Sequence, residues 1–353
     1  MKGIVLTGGV GSRLRPFTYS GAKQLVPVAN TPVLHFPVRQ LVDAGITEIA
    51  LVVGETEPQI RSAMGDGSQF GARFTYVRQP APLGIAHAAG MCREFVGADD
   101  SFVLYLGDNV LIGGITGFVD AFSQSGAAAS VVLKEVADPR AFGVAVIDGE
   151  RLVRVIEKPA DPPSNLAVIG VYAFRPPVFD VIAQQRPSAR GELEIADAIN
   201  GLLDRGLRVD TSVTTEHWID TGKMEDILAA NRTVLATFAS SLDPAATISA
   251  STVEGMVQVG AGASLDSCSV RGPVVIGAGA RLSRCAIGPH VAIGDGCEIA
   301  DSALTNTIVM EQSVVRSSPG IRDSMIGRFA VVTGAPVGAR LTLGDHSRFE
   351  AGE

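Results

Sequence analysis

The stretch Lys2-Gly3-Ile4-Val5-Leu6-Thr7-Gly8-Gly9-Val10-Gly11-Ser12-Arg13-Leu14-Arg15-Pro16 decides the start of the fold, and Lys23-Gln24-Leu25-Val26-Pro27-Val28 follows shortly after it. A short apolar run that breaks into glycines reads as a strand ending in a turn. There the backbone can come close to a ligand and aim its N–H groups at an anion. Arg13, Arg15 and Lys23 add fixed positive charge beside Gly8, Gly9 and Gly11. That combination suits a polyphosphate. Two commoner phosphate loops are excluded. A P-loop needs Lys and then Ser or Thr after its last glycine, whereas Gly11 is followed by Ser12 and Arg13. A dinucleotide fingerprint needs a third glycine, which Gly9-Val10-Gly11-Ser12-Arg13-Leu14 lacks.

Outward from this loop, residues 1–240 alternate strand and helix signals. The expected architecture is Rossmann-like α/β, a mostly parallel sheet with helices on both faces. A helical pattern runs from Pro32 to Ala44, with Gly45 placed to end it. Glu48 to Val53, Ser101 to Leu106, Ala129 to Val136 and Leu166 to Phe174 read as buried strands, the last two flanking Phe142 to Glu157. Glu192 to Asp204 and Met224 to Ala239 read as helices.

Past Ser240 the character changes. Phe329 and Phe349 are the only aromatics left, and aliphatic-small pairs recur: Ile276-Gly277, Ile287-Gly288, Ile293-Gly294, Ile326-Gly327. The intervals 276 to 282, 287 to 293 and 293 to 299 are each six residues. A hexapeptide period marks a parallel β-helix, and residues 241–353 are expected to form one as a second domain.

Composition narrows the function classes. At 353 residues, with 46% hydrophobic and 19% charged side chains, two globular domains with ample core are expected. A net charge of -8 argues against nucleic acid or an anionic membrane as partner. No apolar stretch reaches membrane-spanning length. The four cysteines, Cys92, Cys268, Cys285 and Cys297, form no Cys-x-x-Cys pair, so buried free thiols in a reducing cytoplasm are expected.

The string GGxGxRLxP followed by KQLxPV resembles the signature of the sugar nucleotidyltransferases. It is most similar to the glucose-1-phosphate thymidylyltransferases, in the longer subgroup that carries a C-terminal left-handed β-helix. The likeness recurs over the first two-thirds of the chain. It implies that a sugar 1-phosphate attacks the α-phosphorus of a nucleoside triphosphate in line, and pyrophosphate leaves. No general base is needed, because a phosphate monoester with a second pKa near ~6 is already mostly dianionic at neutral pH. Positioning and charge neutralisation then carry the catalysis.

By this resemblance Arg13, Lys23 and Lys158 are the catalytic cations. Gly8, Gly9, Gly11, Gln24, Gln79, Gly84 and Asp108 belong to the nucleotide site. Gly143, Glu157, Lys158, Val168, Tyr172 and Arg190 belong to the sugar-phosphate site, and Asp108 with Asp220 would hold Mg2+. Residues 157 and 158 can reach one ligand only if their strand bends there, since neighbours on a strand point to opposite faces. The implied substrates are dTTP and glucose 1-phosphate, giving dTDP-glucose. Alternatives are UTP, GTP or ATP with a modified sugar or cyclitol phosphate, or a bifunctional chain whose β-helix transfers acyl groups. His290 could suggest the acyl reading, but an outward-facing loop histidine is the expectation. A homo-oligomer assembled through the β-helix is expected. The sequence departs from the family pattern at Thr31, where a lysine is usual. Leu83 stands where the compact bacterial members have Asp. Phe142 and Ile169 replace Tyr and Thr, and these two lost hydroxyls leave the acceptor's identity open.

Overall fold

The computed structural model describes residues 1–9 and 11–351, so Val10 of the signature lies outside the described residues. The chain forms two compact units: Met1–Val10 with Leu34–Trp218, and Gly11–Val33 with Ile219–Glu353.

The first unit is built on β1 (Lys2–Leu6), α1 (His35–Asp43), β2 (Glu48–Val53), β3 (Arg73–Arg78), α2 (Ile85–Met91), β4 (Phe102–Leu106), α3 (Thr116–Gln124) and β5 (Ala129–Glu135). It continues through β6 (Gly143–Asp148), β7 (Arg151–Glu157), β8 (Leu166–Phe174), α4 (Ile195–Asp204) and β9 (Val209–Val213). The sheet order is β7-β6-β8-β4-β1-β2-β3, with β5 pairing both β8 and β9. Strands β4, β1, β2 and β3 are parallel, in a register that sets Val5 beside Leu51 and Tyr105. The other half is largely antiparallel, because β6 and β7 are joined by a turn at Gly149 too short for a crossover, and β8 runs against β4, β5 and β6.

The alternation seen in the sequence is a two-sided core. Ile4, Ala50, Val52, Phe102 and Leu104 pack one face against Ala86 and Ala89 of α2 and Ile195, Ile199 and Leu202 of α4. On the other face α1 sits close: a Cβ at Gly3 would come 3.1 Å from Leu41 Cδ1, so that side chain would have to give way by a few tenths of an ångström. Each fully buried aliphatic side chain contributes about 1.5–3 kcal/mol.

Two helices start later than their sequence pattern. Val33 and Leu34 form a turn ahead of α1. Residues Glu192 to Glu194 are extended because Leu193 exchanges backbone bonds with the segment before α2: its N–H donates to Leu83 C=O at 2.8 Å and its C=O accepts from Ala86 N–H at 3.1 Å.

In the second unit the expected repeat is a parallel β-helix. Val257, Val274 and Val291 lie in register on one face, and Leu265, Leu282, Ile299, Val315 and Val332 on another. The inward residues Ile276, Leu282, Ile287 and Ile293 are each at most 2% exposed. Their intervals of 6, 5 and 6 residues (276 to 282, 282 to 287, 287 to 293) make a coil of 17, one short of three hexapeptides. Corner residues such as Ser267, Arg284, Asp301 and Ser317 turn the coil with positive φ. The same unit holds α5 (Met224–Leu235) and the signature segment. All four cysteines are free and buried, those of the repeat inside its coils.

Candidate active site

The parallel strands of the first unit end together, and ligands of open α/β sheets bind at that end. After β1 come Thr7, Gly8 and Gly9; after β3 comes Gln79; after β4 come Gly107 and Asp108. Thr7 is wholly buried and its Oγ1 donates to Val52 C=O at 2.7 Å, which pins the start of the glycine turn. A Cβ at Gly8 would stand 3.4 Å from Gln79 Oε1, so the glycine and the glutamine face one another. A Cβ at Gly107 would come 2.6 Å from Leu6 C=O, so only glycine fits ahead of Asp108. Asp108 Oδ1 accepts from Asn109 Nδ2 at 2.9 Å. Asn109 is buried in turn, and its Oδ1 accepts from Trp218 Nε1 at 2.6 Å.

Gly84 precedes α2 with φ 105, and a Cβ there would run into Leu193 C=O. Its carbonyl accepts from Gln79 Nε2 at 3.3 Å, and His87 Nδ1 stands 3.0 Å from the same nitrogen. The amide is thereby turned so that Oε1 faces Gly8. His87 lies outside the signature motifs; its one sequence signal is a polar residue near the start of an otherwise apolar helix.

A row across three strands gathers the expected sugar-site residues. Gly143 on β6 pairs with Glu157 on β7 and with Val168 on β8. A Cβ at Gly143 would stand 3.4 Å from Glu157 Oε2 and 3.8 Å from Val168 Cβ, so the glycine leaves the space beside the carboxylate open. Tyr172 lies further along β8; burial and the Glu157 charge both push its phenol pKa up. The Glu157 pKa is raised by burial, against which the Lys158 and Arg190 charges act.

Lys158 supplies the bend. Its φ is 44, and its N–H donates to Phe142 C=O at 3.0 Å, closing the end of the hairpin. Its Nζ comes 3.6 Å from Glu157 Oε1. Arg190 is held by carboxylates: Nη2 is 2.7 Å from Glu194 Oε2 and 3.1 Å from Glu157 Oε1. Glu194 is buried and also accepts from Ser188 Oγ at 2.7 Å. Its part in orienting Arg190 was not foreseen, although it stands four residues after it in the sequence.

Of the two lost hydroxyls, the one at residue 169 needs a correction. Ile169 is 0% exposed, follows Val168 and so faces the other way, and lies outside the core layer that holds Val168 and Tyr172. It faces sheet core, not the row containing Glu157. The Phe142 ring meets Trp218 edge to face at 5.1 Å.

In the second unit the signature segment folds on itself. Gly11 has φ 67, and a Cβ there would come 2.7 Å from Lys23 Cβ; its carbonyl accepts from Thr18 Oγ1 at 2.8 Å. Arg13 and Asp220 flank Gly222, where a Cβ would stand 3.3 Å from Arg13 Nη2 and 3.6 Å from Asp220 Oδ1. Arg15 lies over the Tyr19 ring at 4.8 Å. Gln24 is 1% exposed, and its Oε1 has no hydrogen-bond partner among the described residues. Buried acceptors are rarely left this way. His290 lies in a bend between strands, as a loop residue, and turns the corner with φ 64; its backbone carbonyl accepts from Asn231 Nδ2 of α5 at 3.4 Å.

Asp108 and Asp220 are hard oxygen donors, which fit Mg2+, an ion commonly held by one or two carboxylates plus water and phosphate. No group of three or more His, Cys, Asp or Glu among the described residues could hold a metal. No helix among the described residues is long and apolar enough to cross a membrane.

Comparison with known proteins bears directly on this arrangement. A family profile described as nucleotidyl transferase matches residues 2–237. The chain belongs to the nucleotidyl transferase family. It is an enzyme, a nucleotidyltransferase, and the family works on a nucleoside triphosphate and a sugar phosphate. Its relatives include the low-salt glycan biosynthesis nucleotidyltransferase Agl11 of Haloferax volcanii, 47% identical over 99% of this chain and 100% of that one. A glucose-1-phosphate thymidylyltransferase of Streptomyces griseus is 43% identical over 99% of both chains. A Bacillus anthracis protein crystallised with sucrose and described as a glucose-1-phosphate thymidylyltransferase superposes with a TM-score of 0.63 at 40% identity, covering 66% of this chain and 94% of that one.

Proposed function

We propose that this nucleotidyltransferase makes dTDP-glucose and pyrophosphate from dTTP and glucose 1-phosphate. The orphan acceptor at Gln24 suits a base that presents an N–H, and the imide N–H of thymine is one. The names of the Streptomyces relatives support it. Uracil carries the same imide, so UTP is the nearest competing nucleotide.

In this reading Arg13 forks onto triphosphate oxygens, while Lys23 acts as a compact point charge. The N–H groups of Gly8, Gly9 and Gly11 line the phosphate turn. Gln79, held by Gly84 and His87, faces the base or ribose. Glu157 accepts hydrogen bonds from sugar hydroxyls beside Gly143, Val168 and Tyr172, Lys158 neutralises the sugar phosphate, and Arg190 orients Glu157. Asp108 and Asp220 would hold Mg2+, whose charge would neutralise phosphate oxygens in the transfer. No residue must remove a proton, because the attacking phosphate is already ionised at neutral pH.

The test is a matrix of dTTP, UTP, GTP and ATP against glucose 1-phosphate, amino, deoxy and cyclitol phosphates, read by pyrophosphate release. Fastest turnover with dTTP and glucose 1-phosphate supports the assignment. A purine nucleotide preferred by an order of magnitude would overturn it.

A further inference from the structure

The segment Gly11–Val33 carries Arg13, Lys23 and Gln24 but has little regular structure of its own. It consists of three single 3-10 turns and a two-residue strand pair, Pro27–Val28 with Thr31–Pro32. Such a loop keeps a fixed shape only if something outside it holds it. What holds its middle belongs to the last coils of the β-helix, three hundred residues further along the chain.

Arg328 and Asp345 form the holding pair. Arg328 N–H donates to Asp345 Oδ1 at 2.8 Å, and Arg328 Nη1 lies 3.8 Å from Asp345 Oδ2. Arg328 Nε also lies 3.0 Å from Glu311 Oε2, an ion pair without hydrogen-bond alignment. Arg328 Nη2 donates to Leu25 C=O at 3.4 Å, and Asp345 Oδ2 accepts from Ser20 Oγ at 2.8 Å. Beside them a Cβ at Gly344 would stand 3.1 Å from Pro16 Cβ, so the glycine lets the loop lie against the coil. The anchors at Pro16, Ser20 and Leu25 bracket Lys23 and Gln24 along the chain. A further anchor lies at the far end of the loop, where Asn30 Nδ2 donates to Ile293 C=O at 2.6 Å and Ala29 N–H to Asn231 Oδ1 at 2.8 Å.

We infer that Arg328 and Asp345 are positioning residues for nucleotide binding: they hold the loop of Lys23 and Gln24 in its working shape, which makes the β-helix a part of the nucleotide site's support. The inference rests on the reading of that loop as the nucleotide site. The β-helix contains its own control. Asp295 accepts from Ala278 N–H through Oδ1 at 2.8 Å, the same rung between neighbouring coils that Asp345 makes with Arg328. Asp295 therefore shares the structural part of the role, and among the described residues its hydrogen bonds go to Ala278 and Gln312 and not to the loop.

The experiment compares Arg328→Met, Asp345→Ala and Asp295→Ala in the full chain. Amide hydrogen exchange over residues 17–26 and the separate KM values for dTTP and glucose 1-phosphate are measured. Both Arg328→Met and Asp345→Ala should speed exchange over residues 17–26 and raise the KM for dTTP by about tenfold, the effect of about one hydrogen bond each. The KM for glucose 1-phosphate should stay within about twofold. Asp295→Ala should lower the melting temperature comparably and leave both loop readouts unchanged. Unaltered exchange over residues 17–26 in the two variants overturns the inference, as does an equal rise in the KM for dTTP in Asp295→Ala. If the wild-type chain releases pyrophosphate from no nucleotide, the proposed function fails, and the exchange data still decide whether the pair holds the loop.

Discussion

Glu157 and Lys158 are adjacent on a strand and yet present their charges together, Nζ standing 3.6 Å from Oε1, because Lys158 takes a φ of 44. An extended pair would point to opposite faces. The left-handed residue ends β7 and turns the lysine back beside the carboxylate, and the hydrogen bond from its N–H to Phe142 C=O holds the turn.

The bend and the charge separate by substitution. Asparagine tolerates positive φ, so Lys158→Asn should keep the melting temperature and raise the KM for the sugar phosphate. Valine does not, so Lys158→Val should lower the melting temperature as well, by about 1–3 kcal/mol of stability. Equal melting temperatures for the two variants would show that the bend carries no strain.

Burial raises the Glu157 pKa, and this makes binding and stability respond to pH in opposite directions. Only the ionised carboxylate accepts hydrogen bonds from sugar hydroxyls through both oxygens. Affinity for the sugar phosphate should therefore fall as pH drops through the raised pKa. For stability the sign reverses: a carboxylate with a folded pKa above its unfolded one favours the native state on the acid side, and that contribution is lost as pH rises through the folded pKa. KM and melting temperature across the acid range, compared with Glu157→Gln, check both limbs. The glutamine variant should lose the Glu157 part of each and keep the titration of the substrate phosphate.

Replacing Asp108 or Asp220 by asparagine should cut turnover by about 10²–10³, the usual cost of one charge-stabilising group, with circular dichroism and melting temperature nearly unchanged. Near-normal turnover in both variants would remove them from the chemistry.

His35 gives a stability test away from the site. Burial and the Arg39 charge lower its pKa from 6.5 to about 4, and its ring meets Phe70 edge on at 4.9 Å. The unfolded chain then takes up a proton before the native one does. Stability should fall as pH drops from 6.5 towards 4, by about 2 kcal/mol once solvent screening is allowed for. His35→Phe should flatten that slope in denaturant titrations at both ends of the window.

Much of this was legible in the sequence because it depends on local pattern. The apolar runs at 48–53 and 166–174 became strands with those bounds, and the six-residue spacing marked the β-helix. What was not legible depends on contacts distant along the chain. The bond between Leu25 and Arg328 joins residues 303 apart, and no local period signals it. Helix α4 starts late for the same reason, its approach being claimed by Leu83 and Ala86. The grouping of Glu157, Gly143 and Val168 needs the register of three strands, which alternation alone leaves open.

Ile169 shows the same limit as a testable case. The isoleucine in place of a family threonine leaves the acceptor open on sequence grounds, but the side chain is 0% exposed and faces away from the Glu157 row. Ile169→Thr would instead bury a hydroxyl and remove a methylene and a methyl group from packed core. The expected result is a loss of about 1–3 kcal/mol in stability, from lost burial and an unpaired polar group. Since the residue faces away from the acceptor, the ratio of kcat/KM for glucose 1-phosphate over its 2-deoxy and 6-deoxy analogues should stay within about twofold of wild type, far below the effect of a hydrogen bond made directly to substrate. A variant that melts like wild type and sharpens the preference for glucose 1-phosphate would place Ile169 in the sugar pocket after all.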